Sequence, residues 1–152
     1  MTTMPVPASH LPFAVTDLLE RSRVTLESAC QAADAAERHR EACLGALRAA
    51  AALVAARTSP VLRGRPRSVW RALPEVAPEL GEWAAFFAGA SRQQTLADRG
   101  GWVTVRAADD LLRQSGMFLT IVSDLLGVPL CTPLPESTTP ALAVSRHDGS
   151  GV

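Results

Sequence analysis

Apolar residues recur along most of this chain every three or four positions, the period of helices that bury one face. In the first such run Leu19, Leu26, Cys30 and Ala33 stand seven, four and three apart, while Arg21, Arg23 and Glu27 lie off the stripe. Thr16 can cap this helix, and Asp17 and Glu20 suit its positive end, so the pattern predicts a helix over 16–33. Asp34, followed three residues later by Glu37, resembles a capping box and opens a second helix over 35–57. Its expected buried face is Cys43, Leu47, Ala50 and Val54, widened by Leu44 and Ala51. From Ala49 to Ala56 it is apolar all round, as in a helix at the middle of a bundle.

Pro60–Pro66, with two prolines and a glycine, reads as the longest loop, and Ser68–Leu73 as one short helical turn anchored by Trp70. Pro78 suits the first turn of a third long helix over 77–98, with Leu80, Trp83, Phe87 and Ala90 inward and Gly100–Gly101 as the stop. Thr104 caps a fourth over 105–126. Its stripe is Leu111, Leu112, Phe118, Leu119, Val122, Leu125 and Leu126, and Gly127 and Pro129 close it. Residues 1–15 carry three prolines and no helical period, and 128–152 are rich in Pro, Ser, Thr and Gly; both read as flexible ends around a domain at 16–127.

The expectation is an all-α, up-down antiparallel four-helix bundle with an extra helical turn in the second connection. Its core should hold Leu19, Leu26, Leu47, Val54, Trp83, Phe87, Leu111, Phe118 and Val122, with Trp83, Phe87, Leu47 and Phe118 mutually packed.

Composition sharpens this picture in a few places. Alanine occurs 26 times and tyrosine is absent, so small side chains and closely approaching helices must build the core. Fifteen basic residues balance fifteen acidic ones, and every basic residue is arginine. That bias fits either a GC-rich genome or selection for bidentate anion contacts. Cys30, Cys43 and Cys131 are odd in number and show no metal-binding spacing, although Cys30 and Cys43 could meet between the first two helices. The start has no basic-then-apolar leader, and no uncharged stretch approaches a membrane span, so a cytoplasmic protein with reduced thiols is expected.

Candidate chemistry is sparse. Arg57, Arg63, Arg65, Arg67 and Arg71 place five positive charges within fifteen residues with no acid among them. With Trp70 beside them as a stacking platform they could bind RNA phosphates. The competing reading is a solvated loop whose arginines pair with Glu75, Glu79 or Glu82. Phe86 diverges from the face shared by Trp83 and Phe87 and is a candidate interface position. Glu37, Glu41, Asp109 and Asp110 lack the E-x-x-H partner of bundle metal sites, so neither a metal nor a cofactor is expected.

The run from Ser68 to Ala90 (SVWRALPEVAPELGEWAAFFAGA) resembles the central signature of a small actinobacterial HEPN-domain family. The segment Val105–Gln114 (VRAADDLLRQ) is similar to that family's closing helix, and Glu37-Arg38 leading into an Ala-rich run is similar to its earlier helices, so the likeness spans 16–127. It implies a helical bundle that dimerises. In catalytic members it implies metal-independent RNA cleavage, by an arginine and a histidine with four to six residues between them that face the partner subunit's pair. Histidine would move the proton and arginine would hold the developing phosphorane charge. Here the residues five to seven before His39 are Asp34, Ala33 and Ala32; before His147 they are Leu142, Ala141 and Pro140; before His10 they are Pro5, Met4 and Thr3. The motif is absent.

The nearest approach is Arg38 and Cys43, an Arg-x4-Cys pair. Cys43 also reads as a small packed residue on the expected core stripe. The expectation is therefore a non-catalytic HEPN-like homodimer that binds a partner protein or RNA. The alternative is a ribonuclease built on Arg38 with Cys43, or with the neighbouring His39.

Overall fold

The computed structural model describes residues 11–58 and 68–130. Residues 1–10, Arg63, Arg65, Arg67, Cys131 and the rest of the expected tail lie outside the described residues. Five helices follow in order: α1 Phe13–Gln31, α2 Ala35–Arg57, α3 Val69–Val76, α4 Gly81–Asp98 and α5 Val105–Leu126. A 3-10 turn, Pro78–Leu80, leads into α4, and the described residues hold no strand.

Local chemistry sets most helix ends. The Asp34 carboxylate accepts from Glu37 N at 3.1 Å and Thr104 Oγ1 from Ala107 N at 3.1 Å, each satisfying one orphan donor of a first turn. Gly127 takes the left-handed conformation at φ 67°, and Val128 N reaches back to Ser123 O at 2.9 Å. Two expectations need correction. Helix α1 starts at Phe13, after Pro12, so Val15 is helical and Thr16 is no cap; its hydroxyl donates to Phe13 O at 3.0 Å. The single turn expected at Ser68–Leu73 is a longer helix, α3, because Trp70 and Leu73 bury one face and hold it to the bundle.

Helix α2 is the centre of the fold, contacting α1, α3, α4 and α5. Its buried ridge is His39, Ala42, Ala46, Ala49 and Leu53, joined by Gly45, Ala50 and Ala52. Leu47 is not in the core; it is 36% exposed, and only Trp83, Phe87 and Phe118 of the expected quartet pack together. The true ridge runs one residue ahead of the expected stripe, leaving Cys43 and Val54 half-buried at its edge. The physical reason is separation. A helix enclosed by neighbours tolerates Ala and Gly on its inner faces, and its large Leu47 is displaced to the rim.

The α1–α2 approach depends on this economy of volume. A Cβ on Gly45 would lie 2.7 Å from Leu26 Cγ and closer still to Leu26 Cδ2. Ser22 Oγ donates to Gly45 O at 2.7 Å, and from α5 Ser115 Oγ donates to Ala42 O at 3.0 Å. Buried hydroxyls thus bond across helix interfaces too narrow for larger side chains.

The remaining expected core residues, Leu19, Leu26, Leu111 and Val122, are buried. Around α4 the construction changes. Trp70, Trp83, Phe87 and Phe118 form one aromatic cluster with ring centroids 5.0–6.0 Å apart. The cluster bridges α4 and α5, whose backbones make little close contact of their own. No helix among the described residues is long and apolar enough to cross a membrane.

Candidate functional site

The Arg38–Cys43 pair starts on the first two turns of α2, where the Asp34 cap fixes the helix phase. Arg38 Nη1 donates to Asp109 Oδ1 on α5, and Nη2 donates to Ala32 O at the end of α1, 2.6 Å away. One guanidinium therefore joins three elements, and its Nε is buried without an acceptor among the described residues. Cys43 lies one turn further along. Burial, helped by the Asp98 carboxylate, pushes its thiol up to about 12. At neutral pH the sulfur keeps its proton and cannot act as a base. Cys30 and Cys43 are both free thiols, and burial raises Cys30 as well.

His39 is 1% exposed and belongs to a polar chain that sequence reasoning did not find. Arg40 Nη2 donates to Asp98 Oδ1 at 3.3 Å, Gln94 Nε2 donates to the same oxygen at 2.8 Å, and Gln94 Oε1 faces His39 Nδ1 at 2.6 Å. Because Asp98 orients the amide, the Gln94 oxygen is the acceptor and His39 Nδ1 carries the hydrogen. The Asp98 carboxyl is held below its usual range, first by the Gln94 hydrogen bond and then by Arg40. The Cys43 sulfur lies 3.8 Å from the same ring nitrogen. The chain ties the start of α2 to the end of α4. The available signal was positional: His39, Ala42, Ala46, Ala49 and Leu53 keep helical spacing, but the ridge opens on a polar residue and escapes a search for apolar ones.

The arginine-rich segment divides. Arg57 donates to Val76 O and to Glu79 Oε1, at 3.2 and 3.3 Å, so it pairs with one of the acids named for it. Trp70 is no exposed platform. It is 7% exposed and stacks on Phe87 at 5.1 Å, because α3 uses it as its anchor. Arg71, by contrast, is exposed. It lines an open groove of about 400 Å³ between α3 and α4, opposite Arg92.

On the other flank of α4 a second groove lies against α5, lined by Glu82, Trp83, Phe86 and Gln114. Phe86 is 46% exposed and rests edge-on against Phe87 at 5.1 Å. The candidate carboxylates are otherwise engaged or apart: Asp109 takes Arg38, and Asp110 pairs with Arg113 at 3.2 Å. No cluster of three or more His, Cys, Asp or Glu suited to a metal occurs among the described residues.

A family model for SAV_6107-like HEPN matches residues 29–123, well over half of the chain. No curated protein and no solved structure matches it.

Proposed function

Since the chain belongs to the SAV_6107-like HEPN family, we propose that it keeps the HEPN bundle for binding and does not cleave RNA. The observation that carries this reading is the state of the Arg-x4-Cys pair. Arg38 serves as a clamp to Asp109 and Ala32, and Cys43 holds a proton it cannot release near neutral pH. Phosphoryl transfer of this kind needs one group that exchanges a proton near pH 7 and a cation free to meet developing negative charge. Neither group is available at this pair. His39, the other candidate, is buried and committed to Gln94.

The binding surface in this reading is the α4–α5 groove. Trp83 and Phe86 present aromatic area beside Gln114, and Met117 on α5 is half exposed. Aromatic and methionine side chains in a polar frame are what interface centres use. The partner is a second copy of the chain, as the family resemblance implies.

The test of the catalytic half is incubation of the purified protein with an end-labelled cellular RNA pool in EDTA. The expected result is an intact pool, with Arg38→Ala and Cys43→Ala indistinguishable from the parent. EDTA-resistant cleavage that either substitution abolishes would establish the ribonuclease alternative.

A further inference from the structure

The geometry points to Trp102 of a second copy of this chain as the group that fills the α4–α5 groove. This rests on the proposed dimerisation through that groove and names what enters it. Each groove is then completed by a residue that its own chain does not supply.

Trp102 sits in the connection between α4 and α5 and is 89% exposed, more than any other large apolar side chain among the described residues. Single apolar side chains on a surface are ordinary, but this one has company. Leu96, in the last turn of α4, and Val105, the first residue of α5, are exposed as well. The backbone between them is fixed. Gly100 takes φ 102°, a conformation that favours glycine, and Gly101 N donates to Leu96 O at 3.1 Å. A Cβ at Gly101 would lie 2.9 Å from that oxygen, so the glycine pair lets the connection press onto the end of α4. Trp102 leaves it one residue later. The result is a convex apolar knuckle on a defined turn.

Knuckle and groove lie on one seam. Phe86 lines the groove beside Gln114, and Trp83 meets Phe118, so α4 and α5 run antiparallel along it. Leu96 follows Phe86 on α4 by about as many residues as Val105 precedes Gln114 on α5. At a rise of about 1.5 Å per residue, the knuckle stands roughly 15 Å from the groove. A two-fold axis between Gly89 and Gln93 would exchange the two ends, so that each knuckle meets the partner's groove and both contacts form at once. On the outward face of α4 near that axis Ala85 and Gly89 are small, which lets two α4 helices approach. The groove's space of about 320 Å³ lies at the small end of ligand sites and suits one large side chain. Charge agrees with this register. Arg99 and Arg106 flank Trp102 in sequence, and Arg99 has no carboxylate partner among the described residues. Glu82, on the rim of the groove, has no cationic partner among them. Opposite rims favour knuckle against groove over knuckle against knuckle.

Sedimentation equilibrium of the full chain over a dilution series tests this, with circular dichroism checking that each variant is folded. Trp102→Ala is expected to weaken self-association about 30-fold or more, the scale of a tryptophan anchor in an interface. Phe13→Ala, which removes an exposed ring at the start of α1, is expected to change it less than about twofold. A mixture of Trp102→Ala and Phe86→Glu chains gives the sharper readout. Neither variant alone can form an intact knuckle-to-groove contact, whereas a mixed pair keeps one. The mixture is therefore expected to associate more strongly than either variant by itself. Knuckle against knuckle would reverse this, because no contact in the mixed pair would be whole. The inference is overturned by a monomeric parent, by self-association that Trp102→Ala leaves intact, by an equal loss from Phe13→Ala, or by a mixture no stronger than its components. Of these results only the monomeric parent also removes the dimer itself.

Discussion

The two sides of helix α2 are built on opposite principles. Towards α1 the contact is tight and small: Gly45 admits Leu26, and Ser22 bonds directly to the Gly45 carbonyl. Towards α4 the filling is large and aromatic, and the polar chain from Arg40 through Asp98 and Gln94 to His39 closes one end. Rings that hold helices apart leave grooves on either flank of α4. The difference is why the proposed binding surface is placed on α4: the α1–α2 side is tightly packed, and the two grooves lie beside α4.

Removing a ring should break the comparison most severely. Phe118→Ala takes out a fully buried side chain that touches Trp70, Trp83 and Phe87, with an expected loss of about 3–5 kcal/mol in urea unfolding. A loss under about 1 kcal/mol would mean the cluster is not the support it looks like. On the tight side, adding a single methyl should suffice. Gly45→Ala drives a Cβ into Leu26 and is expected to cost about 1–3 kcal/mol by overpacking, read as a lowered urea midpoint. A neutral result would show that α1 and α2 can separate without penalty.

A smaller effect concerns protons. The folded state raises the Cys43 thiol from its ordinary value near 9 to about 12, so folded protein holds that proton more tightly than unfolded chain between those values. The contribution is therefore complete below pH 9 and is lost as pH rises towards 12. Stability should fall across that window less steeply in Cys43→Ala than in the parent, as measured by urea unfolding at several pH values. In a Cys30→Ser, Cys131→Ser background, native protein at pH 8 should alkylate with iodoacetamide far more slowly than urea-unfolded protein. Equal rates would contradict the buried, protonated thiol.

How much of this was legible in the sequence depended on the kind of signal. Caps and stops act within a few residues of chain, so Asp34, Thr104 and Gly127 mark α2 and α5 at the same residues in sequence and structure. The all-α class followed from periodicity and alanine content for the same local reason. The phase of α2 was less accessible because alanine is apolar on every face, and only tertiary separation decides that Leu47 goes to the rim. Trp70 beside a run of arginines read as a platform, but the burial of α3 turned its ring inward. Gln94 gave no sequence signal at all. Its place in the polar chain comes from helices that meet across more than fifty residues of chain, at His39.

The binding reading is tested most directly by light scattering coupled to gel filtration, comparing the parent chain with Phe86→Glu. Phe86 is half exposed, so the substitution should leave each subunit folded, read as an unchanged far-UV circular dichroism spectrum and a cooperative thermal transition. The account predicts a dimer for the parent and a folded monomer for Phe86→Glu. A monomeric parent at micromolar concentration, or a dimer that survives the buried charge, would contradict the assignment of the α4–α5 groove as the interface.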